Sequence, residues 1–174
     1  MHLRLSQYPL IDAAAIRDRI GAMAAELDAR YAGREPLALV VLKGAVPFSA
    51  DLLRAMQAPL TVEYIRAKSY DGTASRGEVV FSHLPEEPLR DRHVLVLEDI
   101  LDTGQTATAI LDFVRAQHPA SLCLATLLDK PSRRTCAINA DLAGFVIPDH
   151  FVVGYGLDYN ERYRELDAIY TLES

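Results

Sequence analysis

Apolar residues recur at three- to four-residue spacing after Asp12, at Ile16, Ile20, Met23 and Leu27, which predicts an amphipathic helix with Gly33 as its stop. Residues 37–42 (LALVVL) are then continuously apolar between Pro36 and Gly44. Such a run suits a strand buried on both faces, as in a parallel sheet. Residues 46–56 read as a helix and 60–65 as another strand. The stretch 70–77 (YDGTASRG) is polar and carries two glycines, with β-prone residues 78–81 after it. A second fully apolar strand follows at 94–97 (VLVL), a helix at 106–117, and a third buried strand at 122–128 (LCLATLL). Shorter strand-like runs close the chain at 145–147, 151–153 and 168–172. Strands alternating with helices predict an α/β fold, a mainly parallel central sheet flanked by helices. Ligands of such sheets sit beyond the carboxyl ends of the strands, so chemistry is expected just after LALVVL, VLVL and LCLATLL.

Composition narrows the picture. The chain has 174 residues, half of them hydrophobic and 24% charged, which suits a single domain spanning 1–174 with a full core. No uncharged apolar run approaches the ~18–20 residues of a membrane helix. The first residues carry no basic segment leading into an apolar stretch, so secretion is not expected. Cys123 and Cys136 lack metal-ligand spacing and read as reduced thiols of a cytoplasmic protein. The net charge of −6 argues against nucleic-acid binding, which needs a basic footprint. It leaves room for an anionic small substrate, because charges beyond about 8–10 Å are screened and a local cluster decides.

The residues after VLVL supply such a cluster: Glu98, Asp99, Ile100, Leu101, Asp102, Thr103, Gly104, Gln105, Thr106. Adjacent carboxylates within a strand point to opposite faces, so Glu98 and Asp99 serve one ligand only where the chain is leaving the sheet. A short loop with one Gly and two Thr then precedes a helix. Free N–H groups and the helix dipole make an anion site there, Thr103 and Thr106 add hydroxyl donors, and Gly104 allows close approach. On spacing alone, a helix cap by Asp99 or Asp102 with a solvated Glu98 accounts for these residues equally well. A phospho-acceptor reading fails because that acidic strand should open a domain, and no Gly-x-x-x-x-Gly-Lys-Ser/Thr loop is present.

The stretch VLVLEDILDTGQTA resembles the phosphoribosyl-diphosphate (PRPP) motif of the type I phosphoribosyltransferases. The segments 42–52 (LKGAVPFSADL), 69–79 (SYDGTASRGEV), 127–134 (LLDKPSRR) and 151–166 (FVVGYGLDYNERYREL) are similar, in order, to further motifs of the hypoxanthine-guanine phosphoribosyltransferases. The resemblance implies a type I phosphoribosyltransferase fold with a small hood and a flexible lid loop. It also implies Mg²⁺-assisted transfer of the phosphoribosyl group from PRPP to N9 of a 6-oxopurine, in a homodimer or homotetramer.

The same resemblance distributes roles. Glu98 and Asp99 lie near the ribose hydroxyls and their metal. Asp102, Thr103, Gly104, Gln105 and Thr106 hold the 5′-phosphate, and Asp102 is the general base near purine N7. Leu42, Lys43 and Gly44, whose Leu–Lys peptide can be cis, bind pyrophosphate with Arg164. Lys130 donates to purine O6, Phe151 stacks on the base, Val152 meets the purine edge, and Asp158, counted with these purine-binding residues, binds Mg²⁺ on the pyrophosphate side. Ser69 and Tyr70 belong to the lid. Bland readings stand beside these: Lys43 as a solvated lysine, Phe151 as a core aromatic, 69–77 as a hairpin tip. Arg133 and Arg134 read as surface charge. The fold also serves ligand-binding regulators that no longer catalyse, and a xanthine-preferring relative is a further alternative. A regulator should lack Asp102, Lys130 or the lid, all of which are present here.

Overall fold

In a computed structural model the chain is described over residues 4–69 and 79–173. The elements, in chain order, are β1 (Arg4–Leu5), α1 (Ala13–Arg30), β2 (Leu37–Val41), α2 (Val46–Ala55), β3 (Thr61–Ser69), β4 (Val79–His83), β5 (His93–Leu101), α3 (Gln105–Arg115), β6 (Ser121–Asp129), a 3-10 turn (Pro131–Arg133), β7 (Leu142–Val146), β8 (Val152–Val153) and β9 (Tyr170–Glu173). Among the described residues no helix is long and apolar enough to cross a membrane.

Six strands form the central sheet in the order β4-β3-β2-β5-β6-β7, parallel throughout except for the antiparallel β3–β4 pair. Side chains of a strand alternate between faces, and here both faces are covered. Ala38, Val40, Leu95, Leu97 and Ala125 pack with Ile16, Ile20 and Leu27 of α1 and Phe48 and Leu52 of α2. Leu37, Leu39, Val94, Val96 and Leu124 pack with Ala107, Ile110 and Val114 of α3. Double burial is why LALVVL, VLVL and LCLATLL are apolar but for Thr126, whose buried hydroxyl donates to the Leu128 carbonyl. A second sheet, β1-β9-β8, is antiparallel and forms the hood.

The crossover β2–α2–β3 runs to one side of the sheet and β5–α3–β6 to the other, with their helices on opposite faces. A crevice therefore opens between the carboxyl ends of β2 and β5, the neighbouring strands from which the two crossovers diverge.

Element boundaries differ from the sequence reading in informative ways. Asp12 caps α1, accepting from the Ala15 N–H at 2.8 Å, but the helix closes at Arg30 and Gly33 (φ 71°) serves the turn beyond. The strand predicted at 94–97 continues to Leu101, because Glu98, Ile100 and Leu101 keep pairing with Thr126, Leu128 and Asp129 of β6. The acidic pair therefore lies within a strand and not in the loop after it. The last β2 partner of β5 is Val40, opposite Leu97, so beyond Leu97 one edge of β5 faces open space. α3 begins at Gln105, one residue early, with Gly104 at its N-cap in a left-handed conformation (φ 88°) and no side chain capping it. The cap by Asp99 or Asp102 is thereby overturned. β1 has no signal in its two residues and forms only because β9 is there to pair with it.

Candidate active site

The crevice is a cleft of about 430 Å³. Its walls bring together Leu42, Lys43 and Gly44 from the end of β2, Glu98 and Asp99 from β5, and Asp102, Thr103, Gly104 and Thr106 from the turn into α3. Asp158 and Arg164 close it from the segment after β8. Gln105 is exposed and does not line the cleft. Ser69, expected in the lid, ends β3, where its backbone pairs with Val79, and Tyr70 lies outside the described residues.

The Leu42–Lys43 peptide is cis. Gly44 follows because a Cβ there would run into the Asp99 carboxylate. Gly156 (φ 98°) sits as tightly on the other side, where a Cβ would collide with the Gly44 carbonyl. The turn after β2 thus packs against the Asp99 side chain on one side and backbone to backbone against the loop carrying Asp158 on the other.

Glu98 is buried, only 7% exposed. Burial, then the neighbouring Asp99 carboxylate and a hydrogen bond between the two, push the Glu98 carboxyl well above the usual carboxylate range. Burial also raises Asp99, against the hydrogen bond from Glu98 and the N–H of Ile100. Two like charges this close and this deeply buried disfavour ionisation of both carboxyls at once. Among the described residues no three His, Cys, Asp or Glu side chains converge as a metal cage. A pair of adjoining carboxyls with Asp158 across the cleft is instead a hard-oxygen set, suited to a cation of the Mg²⁺ kind that completes its shell with ligand oxygens and water.

Opposite the acids stand two cations held by internal anions. Lys43 Nζ lies 2.9 Å from Glu161 Oε2, and Arg164 Nη2 lies 2.7 Å from Asp158 Oδ1 and 3.4 Å from Glu161. The Lys43 hydrogen bond holds the exposed Glu161 carboxyl below its ordinary pKa. The Glu161 N–H donates to Asp158 Oδ2 at 2.8 Å, which ties the turn together. Arg164 Nε is buried with no hydrogen-bond partner among the described residues.

A smaller cavity of about 290 Å³ adjoins the cleft and is lined by Lys130, Phe151, Val152 and Leu157, sharing Asp99, Asp102 and Asp158 with it. Lys130 is 5% exposed and its ammonium donates to the His150 carbonyl. That leaves further N–H donors on one of the most strongly hydrated side chains, buried at an apolar wall. Phe151 is 53% exposed and meets Tyr159 edge-on at 5.7 Å between ring centres. A core role for Phe151 is thereby excluded, whereas Val152 is buried.

Sequence reasoning left several side chains out. Arg133 Nε lies 3.3 Å from Asp102 Oδ1, and its Nη1 lies 3.6 Å from Asp149. Arg134 is not surface charge: its side chain is 12% exposed and pairs with the Asp129 carboxylate, itself 14% exposed. Glu161 and Arg66 also line the cleft. Nothing in an Arg-Arg or Asn-Glu dipeptide announces such placement, because partners come from other elements: Asp102 lies 31 positions from Arg133 and Lys43 lies 118 from Glu161.

The chain matches the phosphoribosyl transferase domain family over residues 10–160. It is 42% identical over 165 residues to the hypoxanthine-guanine phosphoribosyltransferase of Bacillus subtilis, covering 94% of this chain and 92% of that protein. A similar likeness, 44% over 164 residues, links it to the bifunctional protein TilS/HprT of Listeria innocua, covering 94% of this chain. It spans only about a quarter (25%) of that longer relative. The crystal structure of a hypoxanthine phosphoribosyltransferase from Staphylococcus aureus superposes with a TM-score of 0.92 at 36% identity, covering 96% of this chain and 91% of that one. A family match across most of the chain, on a fold and a cleft of this form, means that the chain belongs to the type I phosphoribosyltransferases, among the hypoxanthine-guanine phosphoribosyltransferases.

Proposed function

We propose that the chain transfers the 5-phosphoribosyl group of PRPP to N9 of hypoxanthine, and of guanine, in purine salvage. The bond from C1′ to pyrophosphate breaks, the C1′–N9 bond forms, and the proton on N7 of the 6-oxopurine passes to Asp102. The observation that carries this reading is the position of Asp102, on the wall shared by the cleft at a helix amino end and a lysine-bearing, partly aromatic cavity.

The chain's own groups meet each demand. Thr103, Gly104 and Thr106, with the N–H groups at the start of α3, take the 5′-phosphate, and Gln105 flanks them from the outer side. Lys43 and Arg164 exchange Glu161 and Asp158 for pyrophosphate, and the cis Leu42–Lys43–Gly44 turn adds backbone groups. Lys130 donates to O6. An adenine amino group would set donor against donor in a buried place, a mismatch that rejects substrates strongly. Phe151 offers its exposed face to the base and Val152 its backbone. Glu98 and Asp99 stabilise positive charge developing on the ribose. Mg²⁺, when bound, neutralises the leaving pyrophosphate, and Asp158 on that side with Glu98 and Asp99 on the ribose side would hold it.

A homodimer or homotetramer is also proposed. Val62 and Tyr64 stand 39% and 44% exposed on β3, an apolar stripe that a second subunit would cover. Sedimentation of a 19.2 kDa particle at micromolar concentration would overturn this.

The test of activity mixes protein, PRPP, Mg²⁺ and one purine at a time while following nucleotide absorbance. Turnover with hypoxanthine and guanine but not adenine is expected. Silence with every base would favour a ligand-binding regulator, and xanthine as the best substrate would move the chain to a different branch. Asp102→Asn should lower turnover by roughly 10²–10⁴, and near-normal turnover would remove Asp102 from the mechanism.

A further inference from the structure

Three consecutive carbonyls, from the last residue of β5 into the turn before α3, are bonded from behind by two consecutive residues. Arg134 Nη1 donates to the Leu101 carbonyl at 2.8 Å and also to that of Asp102. Thr135 donates to the Thr103 carbonyl twice, from its N–H at 2.9 Å and its hydroxyl at 3.2 Å. Arg134 is itself held by the Asp129 carboxylate at the end of β6. The Leu101 carbonyl receives a further hydrogen bond from the N–H of Lys130 at 3.0 Å, so one oxygen joins the turn to the loop that carries the buried lysine. The stem of Arg134 also floors the turn: a Cβ on Gly104 would come within 3.1 Å of Arg134 Cδ and 2.5 Å of Ile138 Cγ2.

Peptide planarity converts these contacts into an orientation. In a trans peptide the carbonyl of one residue and the N–H of the next are antiparallel. With the Asp102 and Thr103 carbonyls tied back toward residues 134 and 135, the N–H groups of Thr103 and Gly104 face the opposite side, into the cleft that these residues line. A free turn of this length would sample other peptide orientations and meet an anion with carbonyl oxygens part of the time.

We infer that Arg134 is a positioning residue, one that sets the peptide planes of the phosphate-binding turn and the main chain of Asp102 without itself touching substrate. The inference rests on the reading of this turn as the 5′-phosphate site. A guanidinium is needed because three acceptors lie in different directions about one planar group. An ammonium on a flexible stem cannot hold all three in that plane.

Binding of IMP and of pyrophosphate to Arg134→Ala and Arg134→Lys, measured separately by calorimetry, distinguishes this role from general destabilisation. IMP affinity should fall roughly 10- to 100-fold in both variants. Pyrophosphate, held on the far wall by Lys43 and Arg164, should change by less than about twofold. Added guanidinium ion at millimolar concentration should restore part of the IMP affinity of Arg134→Ala. Because Arg134→Ala leaves the Asp129 carboxylate unpaired, the double variant Asp129→Ala/Arg134→Ala carries the same measurement should the single one fail to fold. Unchanged IMP affinity, or equal losses for IMP and pyrophosphate, overturns the inference. If wild-type protein binds no IMP at all, the functional reading fails instead, a distinct result.

Discussion

A methyl group at position 44 would occupy the space of the Asp99 carboxylate. Gly44→Ala should therefore displace an acid of the cleft while leaving the strands beneath it intact. A fall in kcat/KM for PRPP of about 10²-fold, with little change in melting temperature, is the expected outcome in steady-state assays and thermal melts. Wild-type kinetics would mean that Asp99 moves aside without consequence. The same scale shows what a sequence conveys about one side chain. Glu98 and Asp99 were legible as adjacent acids and Lys130 as a lysine after a buried strand. Their states were not: the raised Glu98 carboxyl follows from burial beside Asp99, and the depth of Lys130 from the fold around it. Arg134 was misread as surface charge because its three acceptors lie at positions 101, 102 and 129, which only folding gathers.

Between residue and molecule, the elements depend on a few polar ties. Asp28, in the last turn of α1, accepts the N–H groups of Gln57 and Ala58 at 2.9 Å each and so anchors the connection from α2 to β3. Asp28→Ala should cost about 1.5–3 kcal/mol, the range for hydrogen bonds to a charged group. A lowered urea midpoint with unchanged KM values is expected, since Asp28 lines neither cavity; an altered KM would show that α1 communicates with the cleft. Helix α1 was legible from its three- to four-residue spacing, and the three buried strands from their nearly unbroken apolar runs. The carboxyl end of β5 was not. Polar residues 98 and 99 look like the start of a loop, yet pairing with β6 carries the strand through them to Leu101.

For the molecule as a whole, buried acids set the alkaline limit. Burial pushes the Cys123 thiol up to about 11 from an ordinary 9.0. Burial likewise raises Tyr31, and burial followed by the hydrogen bond to Asp51 raises Tyr155. Each group has a folded pKa above its unfolded one, so the unfolded chain releases these protons first. Stability is complete below about pH 8.5–9 and declines as pH rises toward 11. Urea midpoints measured across that window should fall steadily, and iodoacetamide at neutral pH should label the partly exposed Cys136 well before buried Cys123. A flat profile, or equal labelling, would contradict the burial on which the argument rests. The α/β class, the buried strands and the identity of the chemical segments were determined by the sequence alone, because hydrophobic period and local residue type are written in neighbouring positions. Tertiary structure alone decided that β2 and β5 lie side by side with their crossovers diverging. From that follow the crevice, the pairing of Lys43 with Glu161, and the wall at Asp102 that two cavities share, since contact across a hundred residues is a property of packing and not of spacing.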